Sequence, residues 1–287
     1  MKNIKAFLVV VLATLSSLLG VSCIESKTYK SPPGYDLNNP EKYNMPEKLT
    51  EISGLAFKNG NADSVYAEED ETGRVYYFKP GDKQIQHAEF GKDGDYEDIA
   101  VVSNQVVMMR SDATFFIFPV NNLRSAVIDG VQKISDVLPK GEYEGMYADE
   151  RANQLYVLCK NCKIDNASKT NSGYILDIDA TGTIKQSGQF NVSVKEITAI
   201  TGQKKITFHP SAITKNKGTN EWYILSSVNK MLVVTGADWK VKNVYPLNPS
   251  LFIQPEGMAF DVQRNLYISN EGDEITPGNI LKFKYKK

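Results

Sequence analysis

One phrase recurs along this chain at a nearly constant interval, and it limits the fold more than any other feature. Its clearest copy is QPEGMAFDVQRNLYISNEGD, Gln254 to Asp273. It reads as an acidic turn, a short apolar strand over 257–260, a tight turn, and a second strand over 266–269. Weaker copies begin at Leu49 (LTEISGLAF), Asp95 (DYEDIAVV), Glu142 (EYEGMYAD) and His209 (HPSAITKN). Glu51 to Glu97 spans 46 residues, Glu97 to Glu144 spans 47, and Ser211 to Glu256 spans 45. Glu144 to Ser211 spans 67, so that unit carries an insertion. A period of roughly 40–50 residues with short strands between Gly, Asn and Asp turns is the signature of propeller blades.

The expected fold is therefore an all-β propeller of four-stranded antiparallel blades, five in number, or six if the long unit conceals a further one. The insertion, around residues 194–207, reads as a short helix or a long loop. The last unit ends one strand short, and residues 35–43 are placed to supply the missing outer strand. Pairing the two chain ends would leave no open sheet edge there. The domain reading is a signal segment over 1–22, a tether over 23–34 rich in polar residues and prolines, and a single propeller over 35–287.

Lys2 and Lys5, an apolar run over 6–21 and Cys23 make the N-terminus a targeting segment. It resembles a Bacteroidetes-type lipoprotein signal, with Gly20 where such signals usually carry Leu. The resemblance implies lipidation at Cys23 and a place in the cell envelope, with contact to the membrane through the lipid alone. An ordinary cleaved signal with an incidental cysteine is the alternative. The net charge of −1 lacks the basic excess of a nucleic-acid binder, so nucleic acid is not an expected partner. The expected partner is a small molecule, a glycan or an envelope protein.

Carboxylates recur at one place in the repeat: Glu51, Glu97, Glu144 and Glu256, with Ser211 in the fourth unit two residues after His209. Innermost strands line the channel of a propeller, so these positions are expected to ring one mouth. Glu69, Asp70, Asp112, Asn229, Asn270 and Glu271 are expected at the same level, with Arg110, Lys160 and Lys230 as counter-charges. Crowded carboxylates must be protonated, hydrogen-bonded or neutralised. The four glutamates could hold Ca²⁺, which takes six to eight oxygens in flexible geometry, or each could cap backbone donors in its own blade. His209 and Ser211 lack an orienting acid and an elbow motif, which argues against a serine hydrolase. Cys159 and Cys162 at a strand end suit a disulfide better than redox chemistry.

The set LTEISGLAF, GDYEDIAVV, GEYEGMYAD, FHPSAI and QPEGMAFDVQRNLYISNEGD resembles the SdiA-regulated family of bacterial propeller proteins, from about Leu49 to the C-terminus. The resemblance implies a β-propeller outside the cytoplasm and little about activity. The PEGMAFD…NLYISNE phrase is also similar to NHL repeats and to gluconolactonase-like propellers, in which channel acids hold a divalent cation. Three functions stay open at this level. They are an anchored binding module with a polar, calcium-holding mouth, a Ca²⁺-dependent lactonase-like or esterase-like hydrolase, and a structural partner in an envelope complex. If Cys23 is the anchor, metabolic labelling with palmitate should mark the wild-type protein and leave Cys23→Ala unlabelled. An unlabelled wild type would remove the anchor.

Overall fold

The structure is a computed structural model that describes residues 28–287; the signal segment over 1–22 and Cys23 lie outside the described residues. Strand β1 (Glu41–Asn44) precedes five groups of strands. The first blade is β2 (Ile52–Phe57), β3 (Val65–Glu69), β4 (Arg74–Phe78) and β5 (Gln86–Glu89). The second is β6 (Tyr96–Val102), β7 (Gln105–Arg110), β8 (Phe115–Pro119) and β9 (Gln132–Ile134). The third is β10 (Gly141–Asp149), β11 (Gln154–Cys162), β12 (Thr170–Ile178) and β13 (Ile184–Ser193). The fourth is β14 (Ala212–Asn216), β15 (Glu221–Ser226), β16 (Met231–Thr235) and β17 (Val241–Pro246). The fifth is β18 (Pro255–Phe260), β19 (Leu266–Asn270), β20 (Asn279–Phe283) and, from the other end of the chain, β1. Each blade is an antiparallel meander of neighbours in sequence order, and β1 pairs β20 from Glu41↔Lys282 to Asn44↔Asn279. The fold is an all-β, five-bladed propeller closed by its own N-terminal strand.

No sixth blade hides in the long unit. Its residues go into strands of nine and ten residues and a helix, α1 (Val194–Thr201). Ser193-Val194-Lys195-Glu196 is a capping sequence: the Ser193 hydroxyl accepts from Glu196 N–H, and Gly202 ends the helix at φ +71°. Glu196 then accepts a hydrogen bond from Val241 N–H at 2.8 Å, which ties the insertion to the fourth blade.

The core is five apolar clusters, one in each gap between neighbouring blades. Alternating strand residues face one neighbour or the other, so both faces of every sheet are buried. The gap between the third and fourth blades is the most aromatic. Trp222 lies 4.5 Å from both Tyr156 and Trp239, and Trp239 stacks on Phe190 at 3.6 Å. Tyr35 and Leu37 are buried in the gap between the fourth and fifth blades. Pro32 is buried too, and Gly34 C=O accepts from Lys286 N–H at 2.8 Å. The chain thus joins the last blade before β1 begins. Among the described residues no helix is long and apolar enough to cross a membrane.

The innermost strands, β2, β6, β10, β14 and β18, nearly touch one another at a waist. A Cβ on Gly257 would lie 2.4 Å from Ser53 O, one on Gly54 2.8 Å from Ile99 N, and one on Gly145 3.0 Å from Ile213 N. Side chains larger than hydrogen are excluded there by a neighbouring backbone. Hydrogen bonds cross the same gaps. Ser53 Oγ donates to Glu97 O, Met146 N–H to Asp98 Oδ2, Ser211 Oγ to Pro255 O, and Ser269 Oγ to Ser53 O. Gly257→Ala should therefore lose ~1–3 kcal/mol by overpacking, and Gly145→Ala should lose less. Thermal melts of the two variants check this, and equal, negligible losses would contradict the waist contacts.

Candidate functional site

The repeated glutamates reach the channel because of a backbone irregularity. In three inner strands the ladder skips one residue: between Tyr96 and Asp98, between Tyr143 and Gly145, and between Pro255 and Gly257. The skipped residues are Glu97, Glu144 and Glu256. A bulge leaves its extra residue unpaired and re-aims the side chain, which here turns three carboxylates toward one mouth. The register corrects the sequence reading for Glu51. In β2 the skip falls between Ile52 and Leu55, over Ser53 and Gly54. Ser53, placed before its glycine like Glu144 and Glu256, is the equivalent residue, and Glu51 belongs to the turn before the strand.

Glu51 nevertheless joins the mouth. Its carboxylate, that of Glu69 and that of Asp70 lie within 4.8 Å of one another. Glu69 accepts from the N–H groups of Glu71 and Thr72 at 3.1 and 3.0 Å and from the Thr72 hydroxyl, so it also caps its own turn. Asp70 is different: its Oδ1 is buried and has no hydrogen-bond partner. Burial, then the charges of Glu271, Glu51 and Glu69, raise its pKa to about 7. Burial likewise raises Glu271, with Glu51 adding to the rise while the Gln254 side chain and Lys160 oppose it.

The other side of the mouth carries the two cations. Lys160 Nζ pairs with Glu144, which is only 5% exposed, and lies 3.4 Å from Glu142. Lys230 Nζ donates to Ile253 C=O, and burial lowers its pKa against the pull of Glu256. Burial pushes Glu256 to about 7, with Glu271 adding to the rise while Ser227, Lys160 and Lys230 oppose it. Burial, with Asp95 next, takes Glu97 to about 9. Lys160 is felt by Glu97, Glu256 and Glu271 alike, which places residues of three blades around one opening. Deeper, Glu68 and Asp98 are held well above the usual carboxylate range by burial. Glu68 accepts from Gly54 N–H at 2.5 Å, and Asp98 from Ile99 and Met146 N–H at 2.8 and 2.5 Å.

Several of the sequence candidates serve other ends. Ser211 is 2% exposed; its hydroxyl donates to Pro255 C=O and accepts from Ser227 N–H. His209 bridges blades, with N–H to Asn229 Oδ1 at 3.2 Å and Nδ1 at 3.4 Å from Lys160 O. They form no nucleophile and base pair. Asn270 is buried in its sheet, with Nδ2 3.1 Å from Asn279 Oδ1. Asp112 pairs with Arg110 and caps Thr114 N–H at 3.0 Å, so its pKa falls to about 2 and Arg110 is not spare for the mouth. Asn229 bridges its own turn through Ser226 and Thr207. The sequence reading did not single out Asp95 and Glu142 at the mouth, or Glu68 and Asp98 in the waist beneath it. Cys159 and Cys162 are disulfide-bonded, close beside Asp165.

A model of the SdiA-regulated family matches residues 32–274. Nothing among curated proteins matches the chain. Among solved structures, glutaminyl cyclase from Myxococcus xanthus is similar at TM-score 0.53 and 11% identity, over 86% of this chain and 96% of that one. A luciferin-regenerating enzyme is similar at TM-score 0.52 and 12% identity, over 86% and 95%. The calcium-binding protein regucalcin from Agrobacterium tumefaciens gives 0.49 and 9%, over 88% and 95%. At these identities the likeness is one of fold.

The raised pKa values give a signed prediction. Asp70 and Glu256 at about 7 and Glu97 at about 9 hold protons in the folded chain that the unfolded chain has already released. Their contribution is fully present below pH ~4 and is lost as pH rises through 7 toward 9. In chelator, the melting temperature should fall between pH 5 and pH 9. A flat or rising profile would refute the buried-acid mouth.

Proposed function

The chain belongs to the SdiA-regulated family, and from that premise we propose that its acidic channel mouth is a divalent-cation site serving hydrolysis of a small ester or lactone, on a propeller anchored in the cell envelope. The observation that carries the cation is the group Glu51, Glu69 and Asp70, mutually within 4.8 Å, with a buried Asp70 oxygen left unpartnered. Three carboxylates at that separation repel unless a proton or a cation sits among them. All donors are hard oxygens, from the end of β3 and the turns beside it, which suits Ca²⁺ better than a transition metal. Glu271 is the neighbouring acid whose charge acts on Asp70.

A bound cation would supply Lewis-acid polarisation of a carbonyl oxygen. The protein's own groups supply the protons. Glu256, near 7, can take a proton from an attacking water and release it to solvent, since a useful general base titrates close to the working pH. Glu97, near 9, is protonated at neutral pH, can donate to the leaving oxygen and regains its proton from solvent. Ser211 is fully hydrogen-bonded inside the waist, so water, not a side chain, is the nucleophile. A second reading, a binding module without turnover, has the same cation and the same acids, and it rests on the locked state of Ser211 and His209.

Calcium titration followed by thermal melt tests the cation. At a hundredfold excess over Kd a folded-state ligand adds ~2.7 kcal/mol, a rise of about 5 °C or more for a chain of this size. Asp70→Asn should lose most of that rise, and Glu256→Gln only part. A flat wild-type titration would eliminate the site. A panel of lactones and esters, with and without chelator, then separates the two readings. Hydrolysis that needs Ca²⁺ and falls at least a hundredfold in Glu256→Gln supports the enzyme. Calcium binding with no turnover replaces it by the binding module.

A further inference from the structure

The opposite mouth of the channel, beyond the waist, has a different chemistry. The far ends of all five inner strands enclose a cavity of about 270 Å³. That is close to the lower end of the roughly 300–1,000 Å³ of small-molecule sites. Its wall is apolar, built from residues such as Leu55, Phe57, Ile99, Val101, Met146 and Met258. Its rim is basic. Arg151, Lys215, Lys217 and Arg264 line it, against the acids Glu150 and Asp261.

Neither acid neutralises the rim. Asp261 is buried and spends its oxygens on Asn265 N–H, Asn265 Nδ2 and Tyr267 O–H. Glu150 accepts from Asn59 N–H at 2.9 Å, and Lys217 and Lys58 act on it only through their charge. None of the four basic residues is in an ion pair among the described residues.

Arg264 is held ready. Its backbone is in the left-handed region at φ +70°. Its guanidinium carbon stacks 3.8 Å over the Tyr285 ring. Its other face lies against Gly218, where a Cβ would come within 2.4 Å of Nε. The Nε–H is buried and has no acceptor. The Tyr147 hydroxyl, also on the cavity wall, is buried and has no partner either, while its ring packs edge-on to Trp222 at 5.3 Å. A buried donor without an acceptor is costly, and two of them beside one apolar cavity mark where a ligand's acceptors belong.

We propose that this cavity is a second binding site, for a small amphipathic carboxylate whose head accepts from Arg264 and whose apolar tail fills the space between the inner strands. A guanidinium held in plane by stacking matches the two oxygens of a carboxylate in a fork. Lys215, Lys217 and Arg151 would raise the local concentration of anions at the rim. The tail is required because a bare anion would leave the apolar wall facing water. This site stands independently of the acidic mouth.

Calorimetric titration of the full chain with octanoate, octanol, octyl phosphate and octyltrimethylammonium tests it. Octanoate should bind at least tenfold more tightly than octanol, octyl phosphate and the cation. Arg264→Ala should weaken octanoate at least tenfold, with Arg264→Lys intermediate. Ala148→Phe, which fills the cavity and leaves Arg264 in place, should weaken it as well. Glu256→Gln should leave octanoate affinity unchanged. No octanoate binding, equal binding of octanol, equal or tighter binding of octyl phosphate, or full affinity in Arg264→Ala with its melt preserved would overturn the proposal.

Discussion

The close approach of five inner strands at the waist governs what either mouth can be. Gly257 faces Ser53 O across one gap, Gly54 faces Ile99 N across another, and Gly145 faces Ile213 N across a third. Backbone meets backbone, and the small hydroxyls of Ser53, Ser211 and Ser269 donate to carbonyl oxygens across the gaps. One gap departs from the pattern. Where other inner strands carry Gly or Ala, the second blade carries Asp98, whose carboxyl bonds Met146 N–H on the next blade. A full side chain is admitted there because it supplies a hydrogen bond that a glycine could not. Burial keeps Asp98 and its neighbour Glu68 well above the usual carboxylate range. Burial at the waist therefore favours the protonated form of both acids over two repelling charges.

That constraint also explains why carboxylates stand one residue before the tight positions. An inner strand pressed against its neighbour cannot turn a long side chain sideways within the ladder. The bulges at Glu97, Glu144 and Glu256 free one residue from pairing and direct it along the channel. The same device that accommodates the close approach produces an acidic mouth. Dehydration does the rest, since in Asp70, Glu97 and Glu256 burial is the largest cause of the rise and neighbouring charge follows.

Much of this architecture was legible in the residues. The interval between phrases defined the blades, and the missing strand of the last unit pointed to the pairing of β1 with β20. The register at the first unit was not legible, because counting by charge selected Glu51, whereas the backbone contact selects the residue before Gly54. Glycine that must face a neighbouring backbone is a firmer marker of position than an acid that need only face water. Strand-end placement misjudged Asn270 and Asp112 for a related reason. Sequence gives the level of a residue along the strand, not which partner claims its side chain, and Asn279 and Arg110 claim these two. The Arg264 fork carried no local signal at all, since Gly218 and Tyr285 reach it from two other stretches of chain.

A closed waist makes the two ends of the channel chemically separate surfaces. Each inner strand passes from a polar start, through a backbone contact, to an apolar finish such as Met146 or Met258. Backbone meets backbone where the strands touch, so each end presents its own set of side chains to its own solvent. Acids crowd one end because bulges point them there. At the other end the strands finish in an apolar wall, and the Arg264 guanidinium beside it gains strength as a donor where the surroundings exclude competing water. Opposite chemistries on one small propeller follow from a single backbone contact repeated around its axis.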